Sequence, residues 1–378
     1  MDILEKTSSP NSLFVMAREF IGLQKKFPYL PNNVCLDTTK SKMRDNFKNQ
    51  LTIGGKSPRV FTIAEVGINH GGSVELCRKM IEAAAWAGAD SVKLQTVNAD
   101  ASYVKDTTSY NEFIDKSLSE TELEFLMELA DKLGIFLFST PGDFESLELM
   151  LRLKMPAIKI SSGLMTNYPL IAEAAKSGLP LIISTGLALQ DDIDQAVNVA
   201  NLNNVSSLAL LKCTALYPAP DDSINLNSIQ AMKNRYNLPI GYSDHTLDDL
   251  ACIVSVAAGA TVIEKHFTID KTLKGADHGI SIEPSEFKVM VENIRRVSSM
   301  MGTDAIRATD AEIDVRHQRY RCLIAKKDIG QGEIFTKDNV GLMRPLPGKP
   351  GLPAAEFDNI IGKKALTFIS KSEPIYEY

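Results

Sequence analysis

Val60-Phe61-Thr62-Ile63-Ala64-Glu65 is a short run of apolar and β-branched residues that closes on a carboxylate. A run of this length and texture predicts a strand inside a sheet. Working toward the C-terminus, similar runs recur at Ser91 to Gln95, Ile135 to Ser139, Ala157 to Ser161, Leu181 to Ser184, Ser207 to Lys212, Ile240 to Tyr242 and Val262 to Lys265. Segments of helical period separate them, so the chain alternates β and α units in the manner of a parallel sheet covered by helices. Eight such units close naturally into a TIM (β/α)8 barrel, an α/β fold. The joints agree: Ala87-Gly88-Ala89, Lys132-Leu133-Gly134, Ser177-Gly178 and Ala258-Gly259-Ala260 each put glycine where a helix stops before the next strand.

Outward from this core, residues 1–48 show little periodicity and read as an N-terminal extension of helix and loops. Thr52-Ile53-Gly54-Gly55-Lys56 resembles a hairpin with a Gly-Gly turn at the barrel's bottom. The barrel is expected over 49–301, a charged linker over 302–318 and a small β-rich domain over 319–378. That last segment carries the turn signal Gly330-Gln331-Gly332 and a proline- and glycine-rich stretch, Pro345 to Pro353, that cannot be helical. So small a domain has little stability of its own, and docking against the barrel or a second subunit is expected.

An apolar fraction of 44% and a charged fraction of 23% describe a soluble globular chain. The net charge of -6 argues against generic nucleic-acid binding. The longest apolar run, Leu250 to Ile263, is shorter than the ~20 residues of a bilayer span, so no membrane partner is expected. Five scattered cysteines without C-x-x-C spacing suggest neither a disulfide framework nor a zinc cluster. With no signal-peptide character at Met1 to Lys6, a reducing, cytoplasmic location is expected. No Walker A, G-x-G-x-x-G, H-E-x-x-H or G-x-S-x-G element appears, which removes the common nucleotide, zinc-protease and serine-hydrolase classes.

A barrel of this kind carries its site at the C-terminal ends of its strands, and here nearly every strand ends in polar residues. These are Glu65; Lys93 and Gln95; Ser139-Thr140; Lys159 with Ser161-Ser162-Gly163; Ser184-Thr185-Gly186; Lys212; Ser243-Asp244-His245; and Glu264-Lys265-His266. Because strands alternate faces, Lys93 and Gln95 share a side, as do Lys159 and Ser161, and Glu264 and His266. Lys93, Lys159 and, as a third candidate, Lys212 predict a pocket for a small, highly charged anion. Each lysine taken singly can instead snorkel to solvent or pair with a carboxylate such as Glu65. His245 and His266 follow successive strands and can jointly hold a divalent metal, or can each be satisfied by hydrogen bonds. His70, in Gly67-Ile68-Asn69-His70-Gly71-Gly72, and His278 belong to loops over the same mouth, and His70 reads as a positioning group.

Taken in order, Ala64-Glu65-Val66-Gly67-Ile68-Asn69-His70-Gly71-Gly72, Val92-Lys93-Leu94-Gln95-Thr96, Ser139-Thr140-Pro141, Ile158-Lys159-Ile160-Ser161-Ser162-Gly163, Ser184-Thr185-Gly186, Gly241-Tyr242-Ser243-Asp244-His245-Thr246 and Ile263-Glu264-Lys265-His266-Phe267 resemble the sialic acid synthases, over residues 50 to 378. The segment from Ala325 through Arg344-Pro345 is similar to that family's antifreeze-like (SAF) domain. The resemblance implies a condensation of phosphoenolpyruvate with an open-chain N-acetylated hexosamine, dependent on Mn²⁺ or Mg²⁺, giving a nine-carbon keto acid and phosphate. It implies His245 and His266 as metal ligands, and Lys93, Thr140, Lys159, Ser162 and Ser243 as the residues that hold phosphoenolpyruvate. Gln95, Tyr217 and Asp277 would face the sugar, and Arg344 would reach into the partner's barrel of a domain-swapped homodimer. Glu65 and Glu264 are the candidates for proton transfer, with no way to choose between them from sequence; Glu264 can equally be a lysine's structural partner.

Three positions depart from the family pattern. Leu164 stands where an acidic residue is common, Ala215 where asparagine is frequent and Lys212 where histidine is frequent. A leucine cannot hydrogen-bond a sugar hydroxyl, so an altered or deoxygenated hexosamine is an expected substrate. A barrel aldolase, another phosphoenolpyruvate-condensing enzyme acting on a phosphorylated sugar, and a non-catalytic sugar-binding paralogue are the competing readings.

Overall fold

A computed structural model describes residues 59–378. The 1–48 extension and the Thr52 to Lys56 hairpin lie outside the described residues. The chain divides into two compact units at Gly302/Thr303.

The first unit is a closed barrel of eight parallel strands in sequential order. They are β1 (Phe61–Gly67), β2 (Ser91–Thr96), β3 (Phe136–Pro141), β4 (Ile158–Ile160), β5 (Leu181–Ser184), β6 (Leu208–Cys213), β7 (Ile240–Asp244) and β8 (Val262–His266). Closure is made where Phe61 pairs with Val262 and Glu65 with His266 across β1 and β8. The covering helices are α1 (Val74–Trp86), α2 (Glu120–Leu133), α3 (Phe144–Arg152), α4 (Tyr168–Lys176), α5 (Gln190–Leu202), α6 (Asn227–Tyr236), α7 (Leu250–Ala257) and α8 (Pro284–Met301). Helix starts are chemically specified: Ser73, Ser119 and Asp143 each accept a hydrogen bond from a first-turn amide, which satisfies an otherwise orphaned donor. At the other end Gly134 takes φ of 71° and closes α2 in the left-handed cap that its position predicted. Between β2 and α2 the chain inserts two short helical turns, Ala99–Ser102 and Thr108–Phe113.

Strand alternation sorts the core into two layers. Outward residues such as Val92, Leu94, Ile158, Ile183, Leu210 and Ile263 pack with the helices into one large cluster. Inward residues Phe61, Ile63, Phe138, Ala157, Ile182, Leu211 and Val262 fill the lumen as an apolar floor. Below this floor Asp90 takes ion pairs from Arg59 and Arg295, and Arg295 also bonds the Val60 carbonyl, tying the end of α8 to the first two strands. No helix among the described residues is long and apolar enough to cross a membrane. The four described cysteines, Cys77, Cys213, Cys252 and Cys322, are free thiols, all buried.

The second unit, Thr303–Tyr378, opens with helix α9 (Asp310–Arg319), within the stretch expected to be a linker. Thr309 and Glu312 form a reciprocal capping box that starts it, a local signal strong enough to override the charged, weakly amphipathic composition. Strands β9 (Cys322–Ala325) and β10 (Val340–Met343) pair antiparallel over a small core of Leu323, Ala325, Ile329, Phe335, Val340, Ile360, Ala365 and Ile375.

The floor leaves no space at Gly241 on β7. A methyl group there would lie 2.5 Å from Leu211 Cδ2 and 2.7 Å from Val262 Cβ, and against the Val262 carbonyl oxygen. Gly241→Ala is therefore expected to lower unfolding free energy by about 1–3 kcal/mol, read by urea titration. An unchanged midpoint would mean that β7 can shift freely.

Candidate active site

Above the apolar floor the lumen becomes charged. Four ionisable side chains from four strands share one layer: Glu65 on β1, Lys93 on β2, Lys159 on β4 and Glu264 on β8, each at most 6% exposed. Lys93 Nζ lies 2.7 Å from Glu65 Oε2 and 3.9 Å from Glu264 Oε2, and donates to Thr140 Oγ1 at 3.2 Å. Lys159 Nζ lies 3.3 Å from Glu264 Oε1, which also accepts from Ser243 Oγ at 2.8 Å. Gln95 Nε2 donates to the other oxygen of Glu65 at 3.1 Å. Glu264 faces the lumen and is a partner of both lysines, the structural role weighed for it.

The two carboxylates are pulled apart in acidity. Burial pushes Glu65 up to about 7, an effect that Lys93 only partly opposes. Burial also works against charge on Glu264, but Lys159, Lys93 and the Ser243 hydroxyl outweigh it and hold the group at about 2. One carboxyl can thus exchange a proton near neutrality while the other stays ionised, an arrangement suited to acid–base chemistry. Desolvation lowers the pKa of Lys159, with repulsion from Lys93 adding to it and Glu264 opposing it.

The rim is aromatic and nitrogenous. His245, just past β7, and His266, ending β8, have ring centres 5.3 Å apart. Tyr217 stacks on His245 at 4.0 Å and meets His266 edge-on at 6.0 Å. His245 Nδ1 is 2.7 Å from the Thr214 carbonyl, which fixes that nitrogen as a donor; burial works against charge on this ring, but Cys213, the Thr214 carbonyl and Glu264 outweigh it and raise its pKa. His266 Nδ1 is buried with no hydrogen bond, and its closest acid, Asp277 Oδ2, stands 3.8 Å away. Burial, together with His245 and Lys93, drives the His266 pKa well down, so the ring is neutral. A neutral His266 with an orphaned nitrogen, beside a His245 whose Nδ1 is engaged by the backbone so that its other nitrogen is left to bind, fits a divalent ion held by two protein ligands once His245 gives up any proton, with further positions left for water or substrate. Among the described residues no group of three or more His, Cys, Asp or Glu side chains is arranged as a fuller metal cage.

The remaining candidates are distributed as follows. Thr140 and Ser243 are buried in the charged layer, bonded to Lys93 and Glu264. Ser162 sits at the mouth, where its hydroxyl accepts from the Gly186 amide at 3.0 Å. Arg344 is exposed on the second unit, just past β10. His70 is a loop-forming residue: its Nδ1 accepts from the Gly72 amide at 3.1 Å, and burial lowers its pKa to about 4. His278 is buried against Thr268 Oγ1 at 2.7 Å.

Lys212 does not join the charged layer. Strand β6 runs one residue further than expected, to Cys213, and its inward set is Ala209, Leu211 and Cys213. Lys212 therefore turns outward, donating to the Cys213 carbonyl at 2.8 Å and to Thr214 Oγ1 at 3.1 Å. Cys213 takes the place at the mouth that was assigned to it, with Sγ 3.9 Å from His245 Nδ1. Strict two-residue alternation from Leu211 was the signal that could have found this. Ser184 is a second lumen residue given no role from sequence: it is buried at the end of β5 and its hydroxyl lacks a partner. Leu164 packs against the main core. Ala215 stands beside Ser162 around Gly186, where an added methyl would lie 2.6 Å from Ser162 Oγ and 3.1 Å from Ala215 Cβ.

A family model described as the NeuB family matches residues 80–305, and one described as the SAF domain matches residues 320–377. The chain belongs to the NeuB family. It is 37% identical to an N,N'-diacetyllegionaminic acid synthase of Legionella pneumophila, over 84% of this chain and 93% of that one. It is 33% identical to a pseudaminic acid synthase of Campylobacter jejuni, over 84% of this chain and 96% of that one. Among solved structures, an N-acetylneuraminic acid (sialic acid) synthetase of Leptospira borgpetersenii in complex with citrate shares 34% identity with a TM-score of 0.67, covering 69% of this chain and 91% of that one. The NeuB member described here is thus a relative of legionaminic, pseudaminic and sialic acid synthases, with the barrel and the SAF domain read from its sequence.

The interlocked charges give a direct test. Lys93→Met leaves Glu65 and Glu264 facing one another with only Lys159 to compensate, and should cost about 3–5 kcal/mol of unfolding free energy at pH 8. A carboxyl whose folded pKa is raised destabilises the fold when ionised, and for Glu65 that penalty begins to shrink as pH falls below about 7 and is gone only below its ordinary value of 4.5. The cost of the substitution should therefore shrink at pH 6. Equal losses at both pH values would disprove the coupling.

Proposed function

We propose that this protein joins phosphoenolpyruvate to the aldehyde of an open-chain N-acetylated hexosamine, giving a nine-carbon 2-keto sugar acid and phosphate. The observation that carries the reading is the burial of two lysines beside two carboxylates of opposite acidity, with a pair of imidazoles at the same end of the barrel. Few ligands match it better than a compact polyanion meeting a carbonyl. The kinds of sugar acid named for the relatives support the same substrate class.

In this mechanism Lys93 and Lys159 offset the carboxylate and phosphate charges of phosphoenolpyruvate, and Thr140, Ser162 and Ser243 supply hydroxyl donors. Carbon 3 of phosphoenolpyruvate forms the new bond to the aldehyde carbon, whose oxygen takes a proton. Water adds at carbon 2 and gives up one proton, which balances the one taken by the aldehyde oxygen; the carbon–oxygen bond to phosphate then breaks as the remaining hydroxyl proton passes to the leaving phosphate, and the keto group remains. Glu65, poised near neutrality, suits the proton transfer between water and the new hydroxyl, while ionised Glu264 keeps Lys159 and Lys93 aligned. A divalent ion, Mn²⁺ or Mg²⁺, held by His245 and His266 would polarise the aldehyde oxygen. Gln95, Tyr217 and Asp277 would contact the sugar.

A second copy of the chain fits the reading as well. Leu342, Met343, Arg344 and Leu346 are exposed on the second unit, and Leu187, Leu189, Leu216 and Leu247 are exposed on the loops after β5, β6 and β7. A homodimer in which Arg344 serves the partner's mouth would cover both apolar sets.

Purified protein with phosphoenolpyruvate, Mn²⁺ and a panel of N-acetylated and diacetamido hexosamines should release phosphate and yield a nine-carbon keto acid by mass spectrometry. EDTA, His245→Ala and His266→Ala should each remove the activity with the fold intact by circular dichroism. No phosphate release across the panel would defeat the reading, and full activity in either histidine variant would defeat the metal assignment. Arg344→Ala should lower turnover without altering thermal stability; unchanged kinetics would exclude Arg344 from the site.

A further inference from the structure

Each of the two rim histidines follows a charged residue whose side chain points the opposite way. Asp244 precedes His245, Lys265 precedes His266, and strand alternation sends both out of the lumen toward helix α7, where they are fully buried. Lys265 Nζ lies 2.5 Å from Asp244 Oδ2 and donates to the Thr246 carbonyl at 2.5 Å. Asp244 Oδ1 accepts from the Tyr242 hydroxyl at 2.8 Å and from the Thr246 amide at 3.1 Å. Its other oxygen accepts from Thr246 Oγ1 at 2.8 Å and faces Cys252 Sγ at 3.4 Å. Asp244 and Lys265 are also direct neighbours in the β7–β8 ladder.

A buried ion pair is a poor way to gain stability, because well-packed apolar residues of the same size serve as well or better. Its use lies in geometry: every bond of this cluster fixes the ends of β7 and β8 or the turn through Thr246. Those are the backbone segments from which the two imidazoles leave. We infer that the Asp244–Lys265 pair is a positioning device for the histidine pair, holding β7 and β8 in the relation that lets both rings address one divalent cation. This rests on the metal reading given above for His245 and His266. Neither Asp244 nor Lys265 touches the lumen, so both act through the histidines.

The test compares Mn²⁺ affinity, by electron paramagnetic resonance on the full chain, in wild type, Lys265→Met and the double variant Asp244→Asn/Lys265→Met. The double variant removes both charges while keeping an oxygen for Tyr242 and the Thr246 amide. Loss of support behind metal ligands weakens affinity by roughly 10–100-fold, and that loss is expected in both variants. At saturating Mn²⁺ the double variant should also show an altered hyperfine line shape, which a merely structural role would not produce. Wild-type affinity and line shape in a folded double variant would overturn the inference while leaving the metal reading intact. A wild type that binds no Mn²⁺ would overturn both. If the double variant does not fold, Tyr242→Phe deletes only the hydroxyl that orients Asp244. An affinity lowered roughly threefold or more, the scale of one hydrogen bond, then supports the device, and an unchanged affinity refutes it.

Discussion

The rest of the site depends on one constraint: two ammonium groups and two carboxyl groups share a water-poor layer of the lumen, and none can keep its usual protonation behaviour without the others. Isolated burial of any of them would cost several kcal/mol, so the layer exists only as a set. Lys93 lies between both carboxylates and is its centre. The same crowding separates Glu65 from Glu264 in acidity by several units, although the two residues are chemically alike and sit on neighbouring strands.

The fold was legible because its signals are periodic and local. Eight apolar runs and the glycines between them are enough to indicate the barrel, and the closed order of β1 to β8 agrees. Strand-end chemistry was legible for the same reason: once alternation is assigned, Lys93, Lys159, Glu264 and His266 must face inward. Lys212 shows the limit, since a one-residue error in where β6 ends exchanges an inward cysteine for an outward lysine. The helix at Asp310–Arg319 is started by a pair of capping residues and has little hydrophobic period, so the charged composition of this stretch does not disclose it.

Other features could not be read from the chain at all. Which glutamate titrates near neutrality depends on distances to two lysines from other strands. Leu164 is half-buried and packs against the apolar core, a contact that its position in the chain does not disclose. Of the departures, Ala215 is the one that stands near the mouth, close to Gly186 and Ser162. The Asp244–Lys265 pair was hidden for a different reason, because its residues lie within motifs whose evident members face the other way.

The apolar plug formed by Phe61, Ile63, Phe138, Ile182, Leu211 and Val262 makes the chamber a dead end. With the plug on one side, an anion that settles on Lys93 and Lys159 would enter from the end where Tyr217 and the two imidazoles stand, and a larger guest lodged there would shut the way behind it. On the proposed reading, traffic through such a vestibule would be sequential by shape alone: the small anion would go in ahead of the bulky partner, and the bulky product would have to vacate before the chamber could be refilled.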